Sequence, residues 1–218
     1  AYRAMTVIDV SDATSPSRVG SYVYGASSTF GFSIAYDESN RLVFVSTQNE
    51  IAVINVTDAT TPMYVGEYDL AGARGMEHDP TSGYLFVADT NADGMTIIDV
   101  SDATSPSYIG SYVNTTLLDS PRDVAYNAAN GYVYVVSYRS YFVTIIDVGS
   151  NPTSPVLVGS LFSMYLSGAS AITYNAADSY VYVAGTAFSI IDVGSDPSSP
   201  TLVGYLYLGY QLTDLAYD

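Results

Sequence analysis

TIIDVSDATSPSYIGSY, residues 96–112, recurs in close variants along the whole chain. TVIDVSDATSPSRVGSY begins at Thr6 and AVINVTDATTPMYVGEY at Ala52. TIIDVGSNPTSPVLVGSL begins at Thr144 and SIIDVGSDPSSPTLVGYL at Ser189. Successive copies start 46, 44, 48 and 45 residues apart. A fixed period of this length marks stacked supersecondary units. A second phrase lies between the copies: SIAYDESNRLVFVS from Ser33, GMEHDPTSGYLFVA from Gly75, DVAYNAANGYVYVV from Asp123 and AITYNAADSYVYVA from Ala171. DLAYD, Asp214–Asp218, is a shortened fifth version.

Each unit reads as four short strands. The first is IAYD-like, and a turn of Asn, Asp, Gly and Ser follows. The second is YVYVA-like and rich in β-branched and aromatic residues. The third is TIIDV. A turn with Asp and Pro leads to the fourth, LVGSY-like. No stretch carries a capped 3.6-residue period. The apolar runs of strands two and three are nearly continuous, as expected of strands buried on both faces. Four strands per ~45-residue unit predicts an all-β propeller of about five blades, a single domain over residues 1–218.

The recurring polar residues have structural explanations. Asp9, Asn55, Asp99, Asp147 and Asp192 share one place in strand three, and a side chain needed in every blade is a turn partner before it is a catalyst. Asp12, Asp58 and Asp102 begin Asx-type turns. Pro16, Pro62, Pro106, Pro155 and Pro200 stiffen the approach to strand four. Gly20, Gly66, Gly110, Gly159 and Gly204 sit inside it, where glycine marks a bulge or a close backbone approach.

Composition narrows the function. The 22 acidic residues face six basic ones, all arginine, for a net charge of −16. Such a charge repels phosphate backbones, so nucleic acid is not an expected partner. No apolar run reaches the ~20 residues that span a bilayer, so membrane insertion is not expected either. Cysteine is absent, which removes disulfides and thiolate metal sites. Tyrosine is abundant at 22 residues and tryptophan is missing. With much Ser, Thr, Asn and Gly and no lysine, the chain reads as an extracellular or cell-surface protein. It starts at Ala1 and shows no signal peptide, as expected of a processed chain or a segment of a longer one.

The pattern L-V-I-V-D-V-S-D/N-P-x-x-P-x-x-V-G typifies the LVIVD-repeat propellers of bacterial and archaeal surface proteins. Thr6–Gly20 and its four relatives resemble it closely, and Pro121–Val136 looks like the strands that precede it. The resemblance covers nearly the whole chain. It implies a propeller and a secreted or cell-surface setting, and it implies no activity. An ATSP or PTSP turn replaces the family's more proline-rich one in places, without consequence for the fold.

The two ends align onto one blade. DLAYD matches Ala171–Asn175, and the opening AYRAMTVIDV matches Ala184–Val193, with eight residues missing between them. One blade shared by both termini is therefore expected. Its missing second strand leaves an edge that invites strand addition. Self-association through this incomplete blade, in a filament or tandem array, is the expected consequence, with a longer native chain or simple truncation as the alternatives.

Unique residues mark candidate sites. Asp89, Asn91 and Asp93, followed by Gly94, open like a calcium loop, though Val100 stands where the closing glutamate belongs. The competing reading is a hairpin turn. Glu77 and His78 replace the usual Ala-Tyr and are candidates for ligand binding or proton transfer, although with no second histidine and no nucleophile a structural or solvent-facing role is the expected one. Arg74, Arg122, Asp119, Asp123 and Asp214 lie near the starts of first strands, placed to rim a channel mouth, with ion pairing among themselves as their expected role. Tyr138, Tyr141 and Tyr165 are candidates for stacking on glycans. Two N-x-S/T sequons occur; Asn114, in a loop, is the favoured acceptor, and Asn55, expected buried, the lesser one. No cofactor is required, Ca²⁺ aside.

The expected function is a non-enzymatic extracellular scaffold or adhesion module. A glycan- or calcium-binding module is the alternative. A hydrolase or lyase with a channel metal comes third, because it needs unique ligands converging on the axis and the chain has one histidine.

Overall fold

The computed structural model describes residues 4–23 and 31–215. It contains five antiparallel sheets. The first pairs β1 (Ala4–Asp9) with β2 (Ser17–Val23). The second runs β3 (Gly31–Asp37), β4 (Leu42–Thr47), β5 (Glu50–Asn55), β6 (Met63–Asp69). The third runs β7 (Ala73–Asp79), β8 (Tyr84–Asp89), β9 (Gly94–Asp99), β10 (Ser107–Val113). The fourth runs β11 (Pro121–Asn127), β12 (Tyr132–Ser137), β13 (Phe142–Asp147), β14 (Val156–Phe162). The fifth runs β15 (Ala171–Asn175), β16 (Tyr180–Ala184), β17 (Ala187–Asp192), β18 (Thr201–Tyr207). One 3₁₀ turn, Met164–Leu166, is the only helical piece among the described residues. The four-strand reading of the repeat is thus realised in four sheets. The fifth unit appears as the two-stranded sheet β1–β2; Ala216–Asp218 of the shared blade lie outside the described residues, and Asp214 and Leu215 carry no strand.

The continuous apolar runs end up between blades. Phe44, Val53, Leu85, Val87 and Ile98 join the second sheet to the third. Phe86, Ile97, Val124, Val133 and Ile146 join the third to the fourth. Tyr134, Val136, Ile145, Val183 and Ile191 join the fourth to the fifth. Each fully buried side chain of this size contributes about 1.5–3 kcal/mol. Met5 with Val43, Val45 and Ile54 fixes the two-stranded sheet against the second.

Turn chemistry repeats in step. Asp9, Asn55, Asp99 and Asp192 each accept a backbone N–H two residues ahead, and Asp147 one three ahead. Asp12, Asp58 and Asp102 accept both the backbone N–H and the hydroxyl of the threonine two residues on. Asp37, Asp79, Asn127 and Asn175 do the same work after strand one. Strand four carries a bulge in every sheet, skipping Val19, Val65, Ile109, Val158 and Val203 just before the glycine.

Candidate ligand-binding cavity on the propeller axis

The first strands β3, β7, β11 and β15 lie side by side, and a cavity of about 920 Å³ opens between them. Two repeat positions line it. Counting back from the aspartate or asparagine that ends strand one, the first position holds Phe32, Arg74, Arg122 and Ser170. The next holds Ser33, Gly75, Asp123 and Ala171. Thr213 and Asp214 occupy the corresponding places in the closing DLAYD segment and also line the cavity.

Arg74 and Arg122 dominate the chemistry. Neither forms an ion pair with a described residue, and the Nε of each is buried without a hydrogen-bond partner. The Arg74 guanidinium lies 3.6 Å from the centre of the Phe32 ring, and that of Arg122 lies 5.0 Å from the centre of Tyr138. Such stacking holds each fork flat and leaves its edge free for an anion. Burial, and then the positive charge of Arg122, lower the pKa of Arg74.

Asp123 and Asp214 line the cavity with the arginines, and Glu77 lies near Asp123. Asp123 accepts the Ile172 backbone N–H at 2.9 Å. It lines the cavity, and desolvation pushes its pKa up to about 7, with Glu77 and Asp214 adding repulsion against two lowering backbone hydrogen bonds. A side chain at Gly75 would collide with Asp123, so glycine there makes room for the acid. Glu77 is exposed, and desolvation of its carboxyl pushes its pKa up to about 7. Asp214 accepts the Leu215 N–H on a segment held by Gln211, whose Nε2 donates to the Gly168 carbonyl. Ser170 Oγ donates to Leu212 O at 2.6 Å.

The structure gathers Arg74, Arg122, Asp123 and Asp214 as the strand positions imply, with Glu77 close to Asp123. It separates Glu77 from His78. Adjacent residues of a strand face opposite ways, and His78 lies between blades with its ring 5.2 Å from Phe44. Its Nδ1 is buried without a partner, and desolvation lowers its pKa against the pull of Asp37 and Asp79. The expected Glu-His pair is therefore not a pair. Asp119 offers its backbone carbonyl to Arg139 N.

Asp89–Gly94 is a β8–β9 hairpin turn. Asp89 accepts the N–H groups of Asn91 and Ala92, and Asp93 turns away to accept the Ser120 N–H at 3.0 Å. Both oxygens of Asp89 and one of Asp93 are thus engaged by the hairpin and the next blade. Three carboxylates do approach one another at Glu50, Glu67 and Asp69, on the outer strands. Asn114 is tied down on both ends of its amide, accepting from Thr116 and Leu117 and donating to the Tyr112 hydroxyl. Asn55 is half-buried rather than buried and accepts from Thr57. Tyr141 and Tyr165 spend their rings on Phe162 and Tyr205; Tyr138 alone of the three reaches the cavity.

Phe32, Ser170, Gln211 and Thr213 were not among the expected site residues. Phe32, Ser170 and Thr213 share the repeat position of Arg74 and Arg122, five residues before the end of strand one, and that shared offset was their signal; Gln211 had none.

A model of the LVIVD repeat matches residues 2–23, 81–114, 123–162 and 175–207. No curated protein matches the chain. Among solved structures it is similar to a functionally unknown protein from Desulfotomaculum acetoxidans, at 11% identity and a TM-score of 0.76, covering 96% of this chain and 65% of that one. The periplasmic gluconolactonase of Pseudomonas aeruginosa overlays at 14% identity and 0.72, covering 91% and 62%. The nidogen/laminin complex overlays at 18% and 0.64, covering 92% and 71%. The chain therefore spans roughly two thirds of the length of the propellers it matches, and these likenesses establish fold alone.

Proposed function

The chain belongs to the LVIVD-repeat family, and on that scaffold we propose a binding module whose axial cavity takes a carboxylate-bearing saccharide on Arg74 and Arg122. The observation that carries this reading is the pair of stacked, unpaired guanidiniums. In a chain with 22 acids and six arginines, two of the six share one cavity with no carboxylate partner among the described residues. Planar forks of this kind match a carboxylate by two parallel hydrogen bonds. Phe32 and Tyr138 add apolar faces for a sugar ring, and Ser170 and Thr213 add hydroxyls. An extracellular or cell-surface setting belongs to the same proposal and rests on the cysteine-free, lysine-free, tyrosine-rich composition.

Calorimetric titration with glucuronate against glucose tests it. Glucuronate binds, glucose binds at least tenfold more weakly, and Arg74→Gln with Arg122→Gln removes the difference while thermal stability is kept. Equal affinity for the two sugars, or a double variant that still discriminates, overturns the reading.

A second reading has its own observation. Asp123, with its pKa near neutrality, sits where it can exchange a proton with a bound ligand, and the overlay includes a gluconolactonase. Acid release from gluconolactone, lost in Asp123→Asn, would favour that catalytic role over binding alone.

A further inference from the structure

Consecutive blades are joined by one repeated device. The glycine of strand four lies flat against the turn between strands three and four of the next blade. A side chain at Gly20 would strike the Ala59 carbonyl oxygen, and one at Gly66 that of Ala103. Gly110 meets the Pro152 carbonyl in the same way, and Gly159 that of Pro197. Four glycines thus receive four turns. The fifth, Gly204, has no atom of the described residues within 4 Å of where its side chain would be.

The fifth turn is equally open. Ser11–Pro16 is exposed throughout, whereas Pro62, Pro155 and Pro200 of the seated turns are buried. Behind it, Ile8 is 55% and Val10 68% exposed, against 0% and 5% for the equivalent Ile98 and Val100. The opposite face is bare as well, with Val203 and Tyr205 about half exposed.

These two surfaces have the same chemistry as a joint the chain already makes. Ser11–Pro16 reads SDATSP, identical to Ser101–Pro106, and that copy is seated on Gly66. Gly204 lies in LVGYL, nearly the LVGSL around Gly159, which is occupied. Within one molecule the two surfaces do not meet: the turn stays exposed, and no described atom approaches Gly204.

We infer that the Gly204 face of one molecule receives the Ser11–Pro16 turn of a second copy, head to tail. The contact joins unlike surfaces, so each molecule keeps one free end and the contact propagates. It buries Ile8 and Val10 against β18, as Ile98 and Val100 are buried within the chain.

Sedimentation velocity over a concentration series, with imaging of the particles, tests the inference. The chain sediments as growing head-to-tail oligomers, and Gly204→Ala returns it to monomer with the monomer's melting temperature unchanged. Ala13→Arg, in the turn, does the same from the other side. Mixing the two variants then restores dimers and nothing larger, because one supplies the intact turn and the other the intact glycine. A wild-type chain that stays monomeric at high concentration overturns the inference, as does assembly indifferent to Gly204→Ala. A monomer whose melting temperature falls on Gly204→Ala also overturns it, since the turn would then come from the same chain.

Discussion

The Asp123 carboxylate accepts the backbone N–H of Ile172 at 2.9 Å, so the acid that faces the cavity also ties β11 to β15. Site and scaffold share one group there, and its protonation reports on both. In the folded chain its pKa is raised from 3.8 to about 7. Between those values the folded state holds a proton that the unfolded state has lost.

Stability therefore falls as pH rises through this window and levels off above it. Glu77, raised from 4.5 to about 7, acts in the same direction. Melting temperatures at about pH 5 and about pH 8 should show the chain more stable at the lower value. Asp123→Asn keeps an oxygen for Ile172 but cannot ionise, so about half of the difference should vanish, and Glu77→Gln should remove most of the rest. A pH difference that survives Asp123→Asn and Glu77→Gln together would mean that other acids carry it.

The inter-blade glycines give a stability prediction with an internal control. Gly110→Ala places a methyl on the Pro152 carbonyl oxygen. Relief requires the turn to retreat from the joint, at a cost of about 2 kcal/mol. For a chain of this size the melting temperature should drop by roughly 5 °C. Gly204→Ala meets no atom and should leave the melting temperature of the monomer where it is. Equal losses in both variants would trace the cost to the bulge and not to the joint.

The same comparison shows what was legible in the sequence. Strand number and order followed from the period, because each Asx turn and each strand-four glycine is a local feature with a fixed offset. Arg74, Arg122, Asp123 and Asp214 were placed together by their offset from the strand-one terminus alone. The partners of those residues were not legible. Phe32 under Arg74 and Ile172 opposite Asp123 come from neighbouring blades, and adjacency across a blade joint leaves no mark in either strand. His78 was misread for a simpler reason: its neighbour in sequence, Glu77, points to the other face. The Asp89–Asp93 turn has the residue types of a calcium loop, but only the contact of Asp93 with Ser120 shows where its carboxylate goes.

That contact yields a third prediction. Asp93 holds a left-handed backbone conformation, with φ of 48°, and accepts the Ser120 N–H at the start of the next blade. Asp93→Asn tolerates the conformation and keeps an acceptor, so its melting curve should follow that of the wild type closely. Asp93→Ala loses both and should cost about 1–3 kcal/mol. Added calcium or chelator should shift neither variant relative to wild type. A calcium-dependent rise in wild-type melting temperature, absent in Asp93→Asn, would instead restore the loop as a calcium site.

Asp123 in the cavity and Glu77 near it should make anion binding depend on pH in a direction set by their pKa values. Above about pH 7, Asp123 and Glu77 are ionised and oppose any anion held by Arg74 and Arg122. Below it they are protonated while both guanidiniums remain charged, so the cavity gains positive character. Glucuronate, itself ionised throughout this range, should bind more tightly as pH falls from about 8 to about 6. Linkage requires that it also take up protons on binding, which calorimetry in buffers of different ionisation enthalpy measures directly. In Asp123→Asn the proton uptake should shrink and the affinity at the higher pH should rise towards the low-pH value. Binding that is independent of pH, or strengthens as pH rises, would separate the anion from these two carboxyls and move its site away from the axial cavity.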